Sequence, residues 1–121
     1  MFRVTKNQVM EGKERLLTLL EANDPHTTLA VFDTFPFYPD DVARLVHIIN
    51  NNTQMLVLKL WDCRLQPGDR SAIATAILNN NSLLHVSMEV YADDTPALKN
   101  LIAEAQQHIQ ANNDKSTMSL T

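Results

Sequence analysis

The chain has 121 residues and 13.7 kDa, with ten Lys and Arg against fourteen Asp and Glu for a net charge of −4, which is the size of one domain. Two glycines and 45% hydrophobic residues exclude a disordered chain and an all-β fold rich in tight turns. The acidic balance lacks the basic cluster that a phosphate backbone requires, and no apolar run nears the roughly 18 residues that cross a membrane, so neither nucleic acid nor membrane is an expected partner.

In chain order the pattern predicts alternating helix and strand. A first helix over Thr5 to Ala22 carries apolar Val9, Leu16, Leu19 and Leu20, with Thr5 and Gln8 at capping-box spacing. A strand over Thr28 to Phe32 leads into a loop punctuated by Pro36 and Pro39. Helix two runs from Asp40 to Ile49, with Asp40 and Asp41 suiting the positive end of its dipole. Strand two covers Leu56 to Leu60, helix three Asp69 to Leu78, strand three His85 to Met88, and helix four Pro96 to Ala111 with proline at its tolerated first position. The Asn triplets after helices two and three are read as C-terminal stops, since Asn tolerates the left-handed conformation. Residues 1–111 thus form one domain, and the polar residues 112–121 are expected to be a flexible tail.

A repeat runs under this alternation. Met55, Leu58, Leu60, Cys63 and Leu65 fit the spacing L-x-x-L-x-L-x-x-(N/C)-x-L, a short parallel strand followed by a turn. Asn50-Asn51-Asn52-Thr53 recurs as Asn79-Asn80-Asn81-Ser82, an offset of 29 residues. The same offset aligns Leu45, Ile48 and Ile49 with Leu16, Leu19 and Leu20 and with Ala74, Ile77 and Leu78, and it takes Leu58, Leu60 and Asp62 back to Leu29, Val31 and Asp33. Beyond Leu78 the period slips to 28, placing Leu83, Val86, Met88 and Tyr91 in the third copy; the first copy has His26, Thr34 and Pro36 where the middle one has Met55, Cys63 and Leu65.

From Leu16 to Ala105 the chain resembles the ribonuclease-inhibitor type of leucine-rich repeat, whose units of about 28–29 residues join a strand to a full helix. The segments A-I-L-N-N-N-S-L-L and H-I-I-N-N-N-T-Q-M-L-V-L carry that resemblance. It implies an α/β slab in the order αβαβαβα, with three parallel strands inside and four helices outside. The family binds proteins, its larger members by blocking an enzyme's active site. The short Asn-rich unit without a signal peptide is also similar, in look and size, to small effectors of intracellular bacteria such as Legionella, among them inhibitors of ubiquitin deamidases. That likeness implies a partner enzyme of ubiquitin chemistry.

Strand alternation separates the two faces of the sheet. Leu58 and Leu60 are expected to face the helices, and Val57, Lys59 and Trp61 the open face. The 29-residue register flanks them with Thr28, Ala30 and Phe32 on one side and with His85, Ser87 and Glu89 on the other. Phe32, Val57, Lys59, Trp61, His85, Ser87 and Glu89 therefore form the expected partner-binding set. An exposed Trp beside a Phe, rimmed by Lys59, Glu89 and Asp62, has the composition of an interface hot spot. The alternative for Trp61 is satellite core beneath the loop of Phe35, Pro36, Phe37 and Tyr38.

Other chemistry has less support. Cys63 with one of His26, His47, His85 or His108 could serve acyl transfer or deamidation, but it occupies the repeat position where a small buried residue serves the turn. The histidines lack ligand spacing, so no metal and no cofactor are expected, and Asp40-Asp41 and Asp93-Asp94 read as helix-start charges rather than a catalytic pair. The leading expectation is a protein-binding module, a binder or inhibitor, and not an enzyme. A homodimer built through sheet edges comes second and a small cysteine enzyme third. One cysteine and the N-terminus M-F-R-V-T-K-N-Q, without a secretory core, suggest the cytoplasm, or export into a host by a route that uses no N-terminal signal, with the Ser/Thr-rich end near Leu120 as its candidate address.

Overall fold

The computed structural model describes the backbone of residues 6–119 and the side chains of residues 12–115. Elements follow one another as α1 (Lys6–Glu21), β1 (Leu29–Asp33), α2 (Pro39–Asn51), β2 (Val57–Trp61), α3 (Pro67–Leu78), β3 (His85–Met88) and α4 (Pro96–Ser119). The strands form one parallel sheet in the order β1-β2-β3, giving the expected αβαβαβα slab. The capping box expected at Thr5 and Gln8, the side chain of Val9 and the candidate export address around Leu120 lie outside the described residues. The segment 112–121, expected as a loose tail, continues α4 as far as Ser119, and Asn112 within it is buried.

The register corrects the repeat. Leu29, Ala30 and Phe32 pair with Val57, Leu58 and Leu60, which pair in turn with His85, Val86 and Met88, so the strands repeat every 28 residues throughout. The helices obey the same period: Leu17 and Leu20, Leu45 and Ile48, and Ile73 and Ala76 are the buried equivalents, while Leu19 is 38% exposed. The true first-copy equivalents of Met55, Cys63 and Leu65 are Thr27, Phe35 and Phe37, in place of His26, Thr34 and Pro36.

Local chemistry explains where each helix starts and stops. Pro39 and Pro67 open α2 and α3, where a missing N–H costs nothing. Two residues on, the carboxylates of Asp41 and Asp69 accept the N–H of Tyr38 and Gln66, both at 2.9 Å. The Asn corners work differently from expectation, because neither Asn52 (φ −81°) nor Asn79 (φ −100°) is left-handed. Asn52 Oδ1 accepts the N–H of Gln54 and Met55, and its Nδ2 donates to Leu20 O at 2.9 Å. Asn80 repeats this one unit later: Oδ1 takes Ser82 and Leu83 N–H, and Nδ2 reaches Ile49 O at 2.8 Å. The left-handed residues among those described are Asn23, Thr34, Asp62 and Arg64, and Thr34 and Asp62 turn β1 and β2 out of the sheet at equivalent positions.

Two buried ion pairs close the ends of the slab. The Lys13 ammonium, 1% exposed, donates to Asp41 at 2.8 Å and to Pro36 O at 3.0 Å, tying α1 to the start of α2. Arg70 forks onto Asp94 at 2.5 and 2.7 Å, tying α3 to the turn before α4. Both bring geometric specificity, since a buried charge without its partner is costly.

Candidate functional site

Sheet alternation at the 28-residue register leaves one face uncovered by helices. Its rows run across the strands as Leu29, Val57 and His85; Val31, Lys59 and Ser87; and Asp33 with Trp61. Glu89, the first residue after β3, extends the last row. Val57, Lys59, Trp61, His85, Ser87 and Glu89 are thus brought together as expected from the sequence. Trp61 is 39% exposed and is no satellite core.

Phe32 is the exception. It is fully buried, paired with Leu60, and meets the rings of Phe35 and Phe37 edge-on at 6.2 and 5.1 Å. Thr28 and Ala30 shift with it: Ala30 is fully buried, and Leu29, Val31 and Asp33 occupy the face instead. These three were missed because the Asn triplets were aligned at 29. The two prolines Pro39 and Pro67, 28 residues apart, carried the correct period. Phe37 is buried as well, while Tyr38 is 56% exposed.

The end of the face where the strands finish is the most structured. The Lys59 ammonium lies 5.3 Å from the centre of the Trp61 ring, a cation–π contact. Glu89 is held on both oxygens, Oε1 accepting Asp62 N–H at 2.6 Å and Oε2 the Tyr91 hydroxyl. The Tyr91 and Asp62 donors draw its carboxyl below the usual value, and the same contact with Glu89 raises the Tyr91 phenol. Beneath, the Arg70 guanidinium lies 4.8 Å from the Tyr91 ring and donates to Glu89 O at 3.3 Å. Glu89 is therefore a fixed anion beside Trp61. Asp33 accepts the Thr34 hydroxyl at 2.9 Å and remains exposed.

Cys63 is 3% exposed, with its Sγ 3.2 Å from Phe32 O and 3.3 Å from Trp61 O. Burial pushes the thiol up to about 12, so it carries essentially no thiolate at neutral pH, which suits a packing role better than a nucleophile. No group of three or more His, Cys, Asp and Glu side chains among the described residues is arranged to hold a metal ion, and no helix among them is long and apolar enough to cross a membrane.

The fold and face define an α/β slab of three 28-residue strand-and-helix units, one sheet face packed and the other open. No protein-family model and no curated protein matches the chain. Among solved structures it is similar to actin-binding site 2 of leiomodin-1, with a TM-score of 0.47 and 10% identity over 88% of this chain and 94% of that one.

Proposed function

We propose that the chain is a protein-binding module rather than an enzyme, and that its binding surface is the open face of the sheet. The observation that carries this reading is the single tryptophan of the chain, standing 39% exposed on the central strand. A large aromatic on a rigid strand brings apolar area with little rotamer entropy to lose, the usual composition of a hot spot. Lys59, Val57, Ser87 and His85 complete the face with polar and small contacts. In its finer form the module regulates a partner enzyme by covering its active site, and the effector resemblance makes an enzyme of ubiquitin chemistry the first partner to test.

Affinity capture separates this surface from the rest of the molecule. A partner retained by the native chain and by Thr75→Arg, on the exposed side of α3, should lose at least about 2 kcal/mol of affinity for Trp61→Ala. Undiminished binding of that partner by folded Trp61→Ala would move the site off the sheet.

Self-association is the second reading, favoured by one edge. In the parallel ladder Thr28 O and Thr34 N–H bond to β2, so the backbone groups of the intervening Leu29, Val31 and Asp33 point outward. At the other edge α4 covers the equivalent groups: Gln106 Nε2 donates to Val86 O at 3.0 Å and Asn113 Nδ2 to Leu84 O at 3.3 Å. A strand edge without such cover can pair with a second copy. A monomer by light scattering over a wide concentration range excludes this arrangement.

A further inference from the structure

We propose that the open face docks a protein segment presenting an arginine or lysine side chain to Trp61, between Asp33 and Glu89, with an apolar residue of the same segment on Leu29 and Val57. The inference rests on the open face being the binding surface and names the chemistry of its occupant.

Charge is the first support. The ion pairs among the described residues are Lys13 with Asp41, Arg44 with Glu14 and Glu21, and Arg70 with Asp94, so Asp33, Asp62 and Glu89 have no cation within salt-bridge distance. Three carboxylates around one ammonium leave this end of the face negative, and a cationic group on the partner is its electrostatic complement. Glu89 is also preorganised. Its two hydrogen bonds hold the carboxylate in place while each oxygen keeps a lone pair for an incoming N–H.

The second support is the ring. Lys59 already places an ammonium against Trp61 at 5.3 Å, so the indole takes a cation in this setting. A guanidinium has the flat shape to stack on the indole while its N–H fork reaches a carboxylate.

Spacing then sets the length of the occupant. Leu29, 56% exposed, and Asp33 stand four residues apart on β1, about 13 Å at strand rise. Two helical turns span about 11 Å, so a helical segment with its apolar and basic residues seven apart would reach both ends of the face.

Trp61 is the only tryptophan, so its fluorescence reports this site alone. The full chain is titrated with two capped peptides of about 15 residues, long enough to be helical, carrying leucine and, seven residues later, either arginine or glutamate on the same side. The arginine peptide should shift Trp61 emission and bind roughly tenfold tighter than the glutamate peptide, the margin shrinking at high salt. Asp33→Asn, an exposed substitution outside the core, should remove most of that margin. An equal response to the two peptides, no response to either, or a margin that survives Asp33→Asn overturns the proposal. None of those results touches the open-face reading, which is judged by the captured partner and Trp61→Ala.

Discussion

Asn80 reaches back to Asn52: its Nδ2 lies 3.4 Å from Asn52 O and 2.8 Å from Ile49 O, while Asn112 Nδ2 in turn reaches Asn80 O at 3.0 Å. A ladder of carboxamides thus runs along the buried corner of the slab, stitching each helix end to the next. Each rung satisfies carbonyls that a helix C-terminus would otherwise leave without partners.

Removing a rung should therefore be expensive. Asn80→Ala strips partners from the N–H groups of Ser82 and Leu83 and from Ile49 O, and should cost about 2–4 kcal/mol in urea unfolding. Asn79→Ala, one residue earlier and exposed, should stay within about 0.5 kcal/mol. Equal losses for the two would contradict the ladder.

Phe32 and Trp61 should behave oppositely. Phe32→Ala empties a fully buried ring site and should cost about 3–5 kcal/mol of stability. Trp61→Ala should leave thermal unfolding within a few degrees of the native chain, since the side chain stands on the uncovered face. A stable Phe32→Ala protein would restore the 29-residue register.

The Cys63 thiol should react slowly with aromatic disulfide reagents at neutral pH in the folded protein and quickly after addition of denaturant, because burial holds it protonated. Cys63→Ala should cost about 1–2 kcal/mol or less and leave partner binding intact. Rapid stoichiometric labelling of the native chain would contradict the packing role.

Acid should loosen the α3–α4 end. The Arg70 guanidinium, with help from Tyr91 N–H, holds the Asp94 carboxyl down to about 2, against an ordinary value of 3.8. A carboxylate depressed in the folded state stabilises it above the unfolded value, and that contribution fades as pH falls from about 4 towards 2. Asp94→Asn should lower stability at neutral pH and flatten the acid limb over that window. An unfolding profile with the same slope in both proteins would show that Asp94 does not drive it.

Much of the architecture was legible because the middle unit is unambiguous. Met55, Leu58, Leu60 and Cys63 are all buried, and their spacing admits one strand and one turn. The first unit was misread by a single residue because three consecutive asparagines can be paired at 28 or 29. Since side chains alternate, that slip moved Phe32 from core to surface and Asp33 out of the site. Tyr91 escaped notice as a site residue for another reason: nothing in the spacing says that its hydroxyl will hold Glu89.

Hydrophobic periodicity and helix-start chemistry by themselves determined the order of elements, the parallel sheet and the face on which Val57, Lys59 and Trp61 stand, because each is a local consequence of side-chain spacing. The tertiary structure alone decided the neighbours. Register depends on which amide of each triplet turns inward to bond a carbonyl some thirty residues away, and the anchoring of Glu89 depends on a guanidinium delivered from α3. Such long-range hydrogen bonds leave no period in the chain, since their partners are joined only after the helices have packed.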